Sequence, residues 1–253
     1  MKLACKNCKN LLLEKSNFCN LCGEKTAYKR LTVKSFFAHF INQFLSIDNK
    51  LLKTFIDLFT RPDLVIDSYV KGFRKTYVNV ISYLGLSITL MGLQFFILKK
   101  FFPELLQYGS GLEQPEGFDI NSVMDFITEY QSVITLVSIP VYSLISRFVF
   151  KKSKKYNVAE HFVIITYTSA HWFIISFFMI LITLPFGLNF YNASQLISIP
   201  ALFYMAHVYK KLYEFSWKST ILRTILYVVM SFLFPMIIAL IFGILYAAFY
   251  LKN

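Results

Sequence analysis

The chain has 253 residues and a formal net charge of +12, yet only 16% of its residues are charged while 56% are hydrophobic and 18% aromatic. A soluble globular domain carries nearer a quarter charged residues, so this composition excludes an ordinary water-soluble domain and favours a membrane protein. More than half of the 26 Lys and Arg precede residue 78, next to long apolar runs, so the basic surface is expected to meet anionic lipid headgroups rather than nucleic acid.

The opening MKLACKNCKN has no continuous apolar core ending in small residues, and no cleaved signal peptide is expected. All four cysteines follow at once, as Cys5-x2-Cys8 and Cys19-x2-Cys22. Two thiolates on one tight turn approach a single cation at about 2.3 Å, and a second such turn completes a tetrahedron. Disulfides would suit an oxidising compartment; this spacing suits structural Zn2+ in a reducing one, which puts the N-terminus in the cytosol. Gly23 follows the second pair, where a positive φ turns amides back toward sulfur. Residues 1–30 are therefore expected to be a zinc ribbon, closed by four protein ligands and too small to fold without the metal. Its lysines, among them Lys6 and Lys9, make a solvated basic face and a surface for a protein partner.

Residues 31–77 form the second predicted region. Val33, Phe36, Phe37, Phe40, Ile41, Phe44 and Leu45 recur at helical spacing. Asp48 is placed to cap a second helix carrying Leu51, Leu52, Phe55, Ile56 and Phe59, ended by Arg61-Pro62. A third is expected from Pro62-Asp63 to Gly72. These are juxtamembrane amphipathic helices, with their apolar stripes either in the bilayer interface or packed on the protein.

The order CKNC, FCNLCGEK and IDNKLLKTFIDLFTRPDLVIDSYVKGFRKTYVNVISYL resembles the DUF3667 family, bacterial membrane proteins with an N-terminal zinc ribbon. The matching residues are the four cysteines, Asp48, Leu52, Thr54, Arg61-Pro62, Tyr69, Gly72, Arg74 and Tyr77. The chain departs from the family pattern at Val80, where Pro is common, and at Phe73, where the family often has a basic pair after Gly. The resemblance covers roughly the first 85 residues and implies a bacterial inner-membrane home; it carries no activity.

Residues 78–253 are expected to be an all-α polytopic membrane domain with about five transmembrane helices: 78–98, 133–150, 162–184, 196–209 and 224–250. Residues 101–146 lack Lys and Arg but hold Glu104, Glu113, Glu116, Asp119, Asp125 and Glu129, whereas Lys151, Lys152, Lys154 and Lys155, then Lys210, Lys211, Lys218 and Arg223, crowd two later connections. Basic loops stay cytosolic, so the expected inner-membrane topology has the N-terminus inside, 101–131 and 185–195 outside, and the C-terminus periplasmic. Lys99 and Lys100 run against that rule. The last span is long enough to tilt, protrude or break near Pro235.

Ser82, Gly85, Thr89 and Gly92 give the first span a small-sided face, suited to close helix packing within the chain or to the seam of a homo-oligomer. Ser138-Ile139-Pro140 and Ser198-Ile199-Pro200 are 60 residues apart and raise a repeated hairpin, with Pro140, Pro200 and Pro235 as candidate kinks. His171, one turn from Tyr167, is the candidate intramembrane polar site. Glu160-His161 and His207 are expected at the cytosolic boundary, and Tyr77, Tyr83, Tyr156, Tyr191, Tyr209 and Trp217 in aromatic belts. No nucleotide loop, zinc-protease helix or nucleophile elbow occurs. The expected function is a non-enzymatic accessory or scaffold protein, and the alternative a small transporter, channel or lipid-moving protein.

Overall fold

A computed structural model describes residues 4–12, 16–23, 32, 50–107, 120–153 and 155–250, with the side chains of the last helix described as far as residue 237. The predicted helix over 33–45, its neighbour Asp48, and Glu113, Glu116 and Asp119 lie outside the described residues. The chain divides into two compact units, Met1–Asp48 and Asn49–Asn253.

The second unit is all-helical. Helix α1 covers residues 50–60 and stops at Arg61, because Pro62 disfavours a helical residue before it and then serves as the first residue of α2, Pro62–Val70. Gly72, at φ +89°, turns the chain out of α2. Asn79 caps α3, Val80–Phe101, by accepting from the Ile81 amide. A short 3-10 turn, Pro103–Leu106, and α4, Ile120–Glu129, interrupt the expected outer loop. Next come α5, Gln131–Val149, and α6, Val158–Thr183, which opens on a reciprocal Asn157–Glu160 capping box. Gly187 in the left-handed region closes the turn before α7, Phe190–Tyr213, and α8, Trp217–Tyr250, ends the described chain.

Helix α6 is the hub. It packs against α2, α3, α5 and α7, while α8 closes a ring by packing on α5 and α7. The Tyr167 hydroxyl donates to the Val78 carbonyl at 2.7 Å, so α3 begins beside the midpoint of α6. The lower half of α6 is flanked instead by α2, through Tyr69 against Tyr167 and the Tyr156 hydroxyl on Asp67 at 2.7 Å.

Four helices are long and apolar enough to cross a membrane: Val80–Phe101, Gln131–Val149, Val158–Phe186 and Trp217–Ile237. The fifth expected span lies inside α7, which has the length at 24 residues but is diluted by Asn192, Ser194, Gln195, Ser198 and His207. Pro140, Pro200 and Pro235 all sit within continuous helices. The connections sort by charge onto two ends. The Asn189 amide donates to Gln107, joining the two uncharged or acidic loops, and Lys155 donates to Leu212, joining the two basic ones.

One expectation, the tyrosine belt, is corrected, and two are narrowed: the small-sided face does not pack within the chain, and the α1 stripe is split between core and surface. Ser82, Gly85, Thr89 and Gly92 face outward, and a Cβ added at Gly85 or Gly92 would meet nothing within 4 Å. Helix α3 buries its opposite face, Tyr83, Leu84, Met91, Phe95 and Leu98, because large side chains gain more contact against the aromatic surface of α6. Tyr83, Tyr156 and Tyr209 are buried rather than in a belt, each with its hydroxyl hydrogen-bonded. Helix α1 does not bury its whole apolar stripe: Thr54, Asp57 and Leu58 face inward while Leu52, Ile56 and Phe59 remain exposed.

Candidate metal centre and buried histidine sites

The first unit is built on two equivalent turns. Lys9 N–H donates to Cys5 O at 2.8 Å, and Gly23 N–H donates to Cys19 O at 2.9 Å. Each turn ends in a left-handed residue, Lys9 at φ 59° and Gly23 at φ 72°. The sequence flagged Gly23; its counterpart Lys9 was hidden because a lysine carries no mark of positive φ. An Ala4–Leu11 bridge closes the first turn, and the Asn10 side-chain amide donates to Asn20 across to the second.

These turns bring all four sulfurs within 4.8 Å of one another, with Cys5–Cys22 at 3.6 Å and Cys8–Cys19 at 3.5 Å. A tetrahedron with bonds of about 2.3 Å has an edge of about 3.8 Å, so the quartet fits one metal ion, and all four thiols are free. Backbone amides prepare the thiolates. The Cys8 amide lowers the Cys5 pKa, and the Cys22 and Leu21 amides bring Cys19 to about 6. At Cys8 the Asn10 amide acts the same way, but burial and the three neighbouring thiols outweigh it and push the group up to about 12. A cation among the sulfurs would relieve that crowding.

In the helical unit His171 is fully buried, but its partner is not Tyr167. Its Nδ1 lies 2.8 Å from the Tyr83 hydroxyl, while Tyr167 is committed to Val78. Phe55 and Phe59 close over the imidazole at 4.8 and 4.7 Å, Tyr204 lies at 5.2 Å, and Nε2 has no partner. The group pins α1, α3, α6 and α7 together. It offers a hydroxyl and aromatic faces, with no carboxylate among its ring and hydrogen-bond contacts.

His161, expected near the cytosolic boundary and facing water or lipid, is also buried. Nδ1 meets Ser146 Oγ at 2.9 Å and Nε2 meets the Tyr213 hydroxyl at 3.3 Å, with Tyr209 on the same Ser146. Nothing in the spacing of Ser146, His161, Tyr209 and Tyr213 announced this, because it needs three helices to converge.

A third network ties α1 to the start of α3. Asp57 accepts from Arg61 and from the Tyr77 hydroxyl, both at 2.9 Å, and the Val78 amide donates to Thr54 at 3.0 Å. Burial opposes the Asp57 charge, but hydrogen bonds from Arg61 and Tyr77, with the Arg61 and Lys53 charges, outweigh it and lower its pKa. Burial and that carboxylate push Tyr77 up to about 12.

The candidate kinks mark no common site. Ser138 and Ser198 each donate to the carbonyl three residues back, yet Ile139 is buried and Ile199 exposed, so the two motifs present different faces to the core. Two hollows lie beside Trp172. One, of 230 Å³, has Gln94, Gln131, Ser176, Ser194 and Ser198 on its polar side. The other, of 450 Å³, is an apolar groove along Pro200, Phe203, Tyr204 and His207.

No curated protein and no solved structure matches the chain. Thr54, Arg61-Pro62, Tyr69, Gly72, Arg74 and Tyr77, on which the resemblance rested, lie within α1, α2 and the connection to α3; the cysteine turns lie outside the matched segment. Over residues 48–92 the chain matches the family model of DUF3667, a protein family of unknown function.

Proposed function

We propose that this is a non-enzymatic accessory protein of a bacterial inner membrane, whose zinc-loaded head presents a cytosolic docking surface. The observation that carries the reading is the closed quartet: all four positions of a tetrahedral ion are supplied by Cys5, Cys8, Cys19 and Cys22, leaving none for a substrate. Two pairs of polar groups between the helices, Asp57–Tyr77 and Ser146–His161, are committed to one another, in keeping with a scaffold. Five spans, α7 included, a cytosolic N-terminus and a periplasmic C-terminus follow from the charge sorting of the loops, since basic connections stay inside. Under that orientation α1 lies at the inner interface with Leu52, Ile56 and Phe59 in the acyl boundary. Crosslinking followed by purification in mild detergent should recover a defined partner that is lost when Cys19 and Cys22 become Ser. The same partners with both cysteines replaced would refute the docking role.

A second reading, movement of a solute or lipid, is favoured by the 230 Å³ hollow with its uncharged polar lining. It predicts that Gln94→Leu changes a transport rate in liposomes.

A further inference from the structure

The corner where α7 turns into α8 is crowded with cations that form no ion pair among the described residues. Lys155 donates to Leu212 O at 2.5 Å, satisfying a carbonyl in the last turn of α7, and Lys210 donates to Phe215 O in the turn that follows. Arg223 lies over the Phe215 ring at 4.3 Å, and that ring stacks on Tyr213 at 5.4 Å and 7°. Arg147 lies in the last turn of α5, whose capping residue Phe150 stacks on the same Tyr213 at 4.6 Å and 9°, and Arg223 comes from the second turn of α8.

These two arginines are unusual in what they lack. Each has its Nη1 enclosed without a hydrogen-bond partner. Among the described residues the ion pairs are Asp57–Arg61 and Asp67–Lys71, so neither arginine is paired. Glu160 is committed to the Asn157 amide in the cap of α6, and Glu214 is exposed and forms no ion pair. Half-enclosed guanidinium groups without a counter-charge are costly, and their planar fork matches phosphate oxygens. The corner is also where α5 ends and α8 begins, so on a membrane it falls at headgroup depth. Exposed Trp217, 5.8 Å below the Lys210 ammonium, suits that level.

We propose that Arg147 and Arg223 bind the phosphate of an anionic phospholipid in the leaflet facing the basic loops. This rests on the reading that α5 and α8 cross a membrane, and not on the role of the head. The test uses the full chain in a neutral detergent, following thermal unfolding with added phosphatidylglycerol or phosphatidylcholine. Phosphatidylglycerol should raise the transition and phosphatidylcholine should not. Binding should weaken by at least about tenfold in R147Q/R223Q and survive in K151Q/K152Q, which removes the same charge from the neighbouring loop. If R147Q/R223Q fails to fold, R147K/R223K keeps the charge but loses the fork, and should carry less lipid in the native mass spectrum. An equal loss in K151Q/K152Q, the same shift with glycerol phosphate, or no shift with either lipid would overturn the site. A chain that stays dispersed without detergent would instead overturn the membrane reading.

Discussion

Replacing Cys19 and Cys22 together by Ser should unfold the head and leave the helical unit standing. Among the described residues of the first unit, the buried side chains are those of Cys5 and Cys19, while Leu11, Phe18 and Leu21 are 57%, 54% and 70% exposed. Among these described residues there is no apolar core to fall back on. Zinc bound by four such ligands contributes about 10–16 kcal/mol at neutral pH, and removing two thiolates takes away more than a unit of this size can lose. The helical unit keeps its own core, Leu58, Val65, Tyr83, Ile164 and Leu212 among others. The assay pairs metal analysis with limited proteolysis: one zinc per parent chain, none in the variant, and cleavage confined to the segment before α1. Zinc should also leave as pH falls, because protons compete for the thiolates, and it should leave cooperatively because four ligands are involved. A head that stays protease-resistant without metal would refute the reasoning.

Tyr77→Phe should cost about 1.5–3 kcal/mol, the range for a hydrogen bond to a charged group, seen as a lower unfolding temperature in detergent. Asp57→Asn should show a pH signature: a carboxylate with a lowered pKa stabilises above its usual value of 3.8 and loses that stabilisation as pH falls through the lower folded value, so the deficit of the variant should vanish in acid. Tyr83→Phe and His171→Phe should each destabilise by about 1 kcal/mol, while the double variant returns toward the parent because no polar group is left unpaired; a fully additive double variant in thermal unfolding would contradict their pairing. Gly23→Ala should weaken zinc retention against a competing chelator and Lys9→Gly should strengthen it, because both positions have positive φ.

Much of the architecture was legible because its signals are local. The CxxC spacing specified two turns, Pro62 and Gly72 bracketed α2, and uninterrupted apolar length marked α3, α5, α6 and α8. What sequence reasoning missed depends on which face meets which neighbour. The stripe Leu51, Leu52, Phe55, Ile56 and Phe59 reads as a single apolar face, but the helix also carries Thr54 and Asp57, whose partners Val78 and Tyr77 lie 24 and 20 residues on. Once those polar groups turn inward, Leu52 and Ile56 must turn out. A small-sided stripe on α3 suggested close packing, yet the aromatic face opposite it had more surface to bury. His171 stood out in the sequence as a polar group within a long apolar run, but Tyr83, 88 residues away in sequence, is a partner that only tertiary packing creates. A similar limit applies to α7: its length is helical and its polar residues serve hollows and cap bonds that periodicity does not reveal.

The most direct test of the account is the sidedness of the helical unit. Single cysteines placed at Gln107 and at Lys152 in the parent chain should be read with a membrane-impermeant maleimide in intact cells. The account predicts labelling at Gln107, no labelling at Lys152 until the membrane is opened, and no reaction of the parent chain's own cysteines. Labelling at Lys152, or of the native cysteine turns, in intact cells would contradict it.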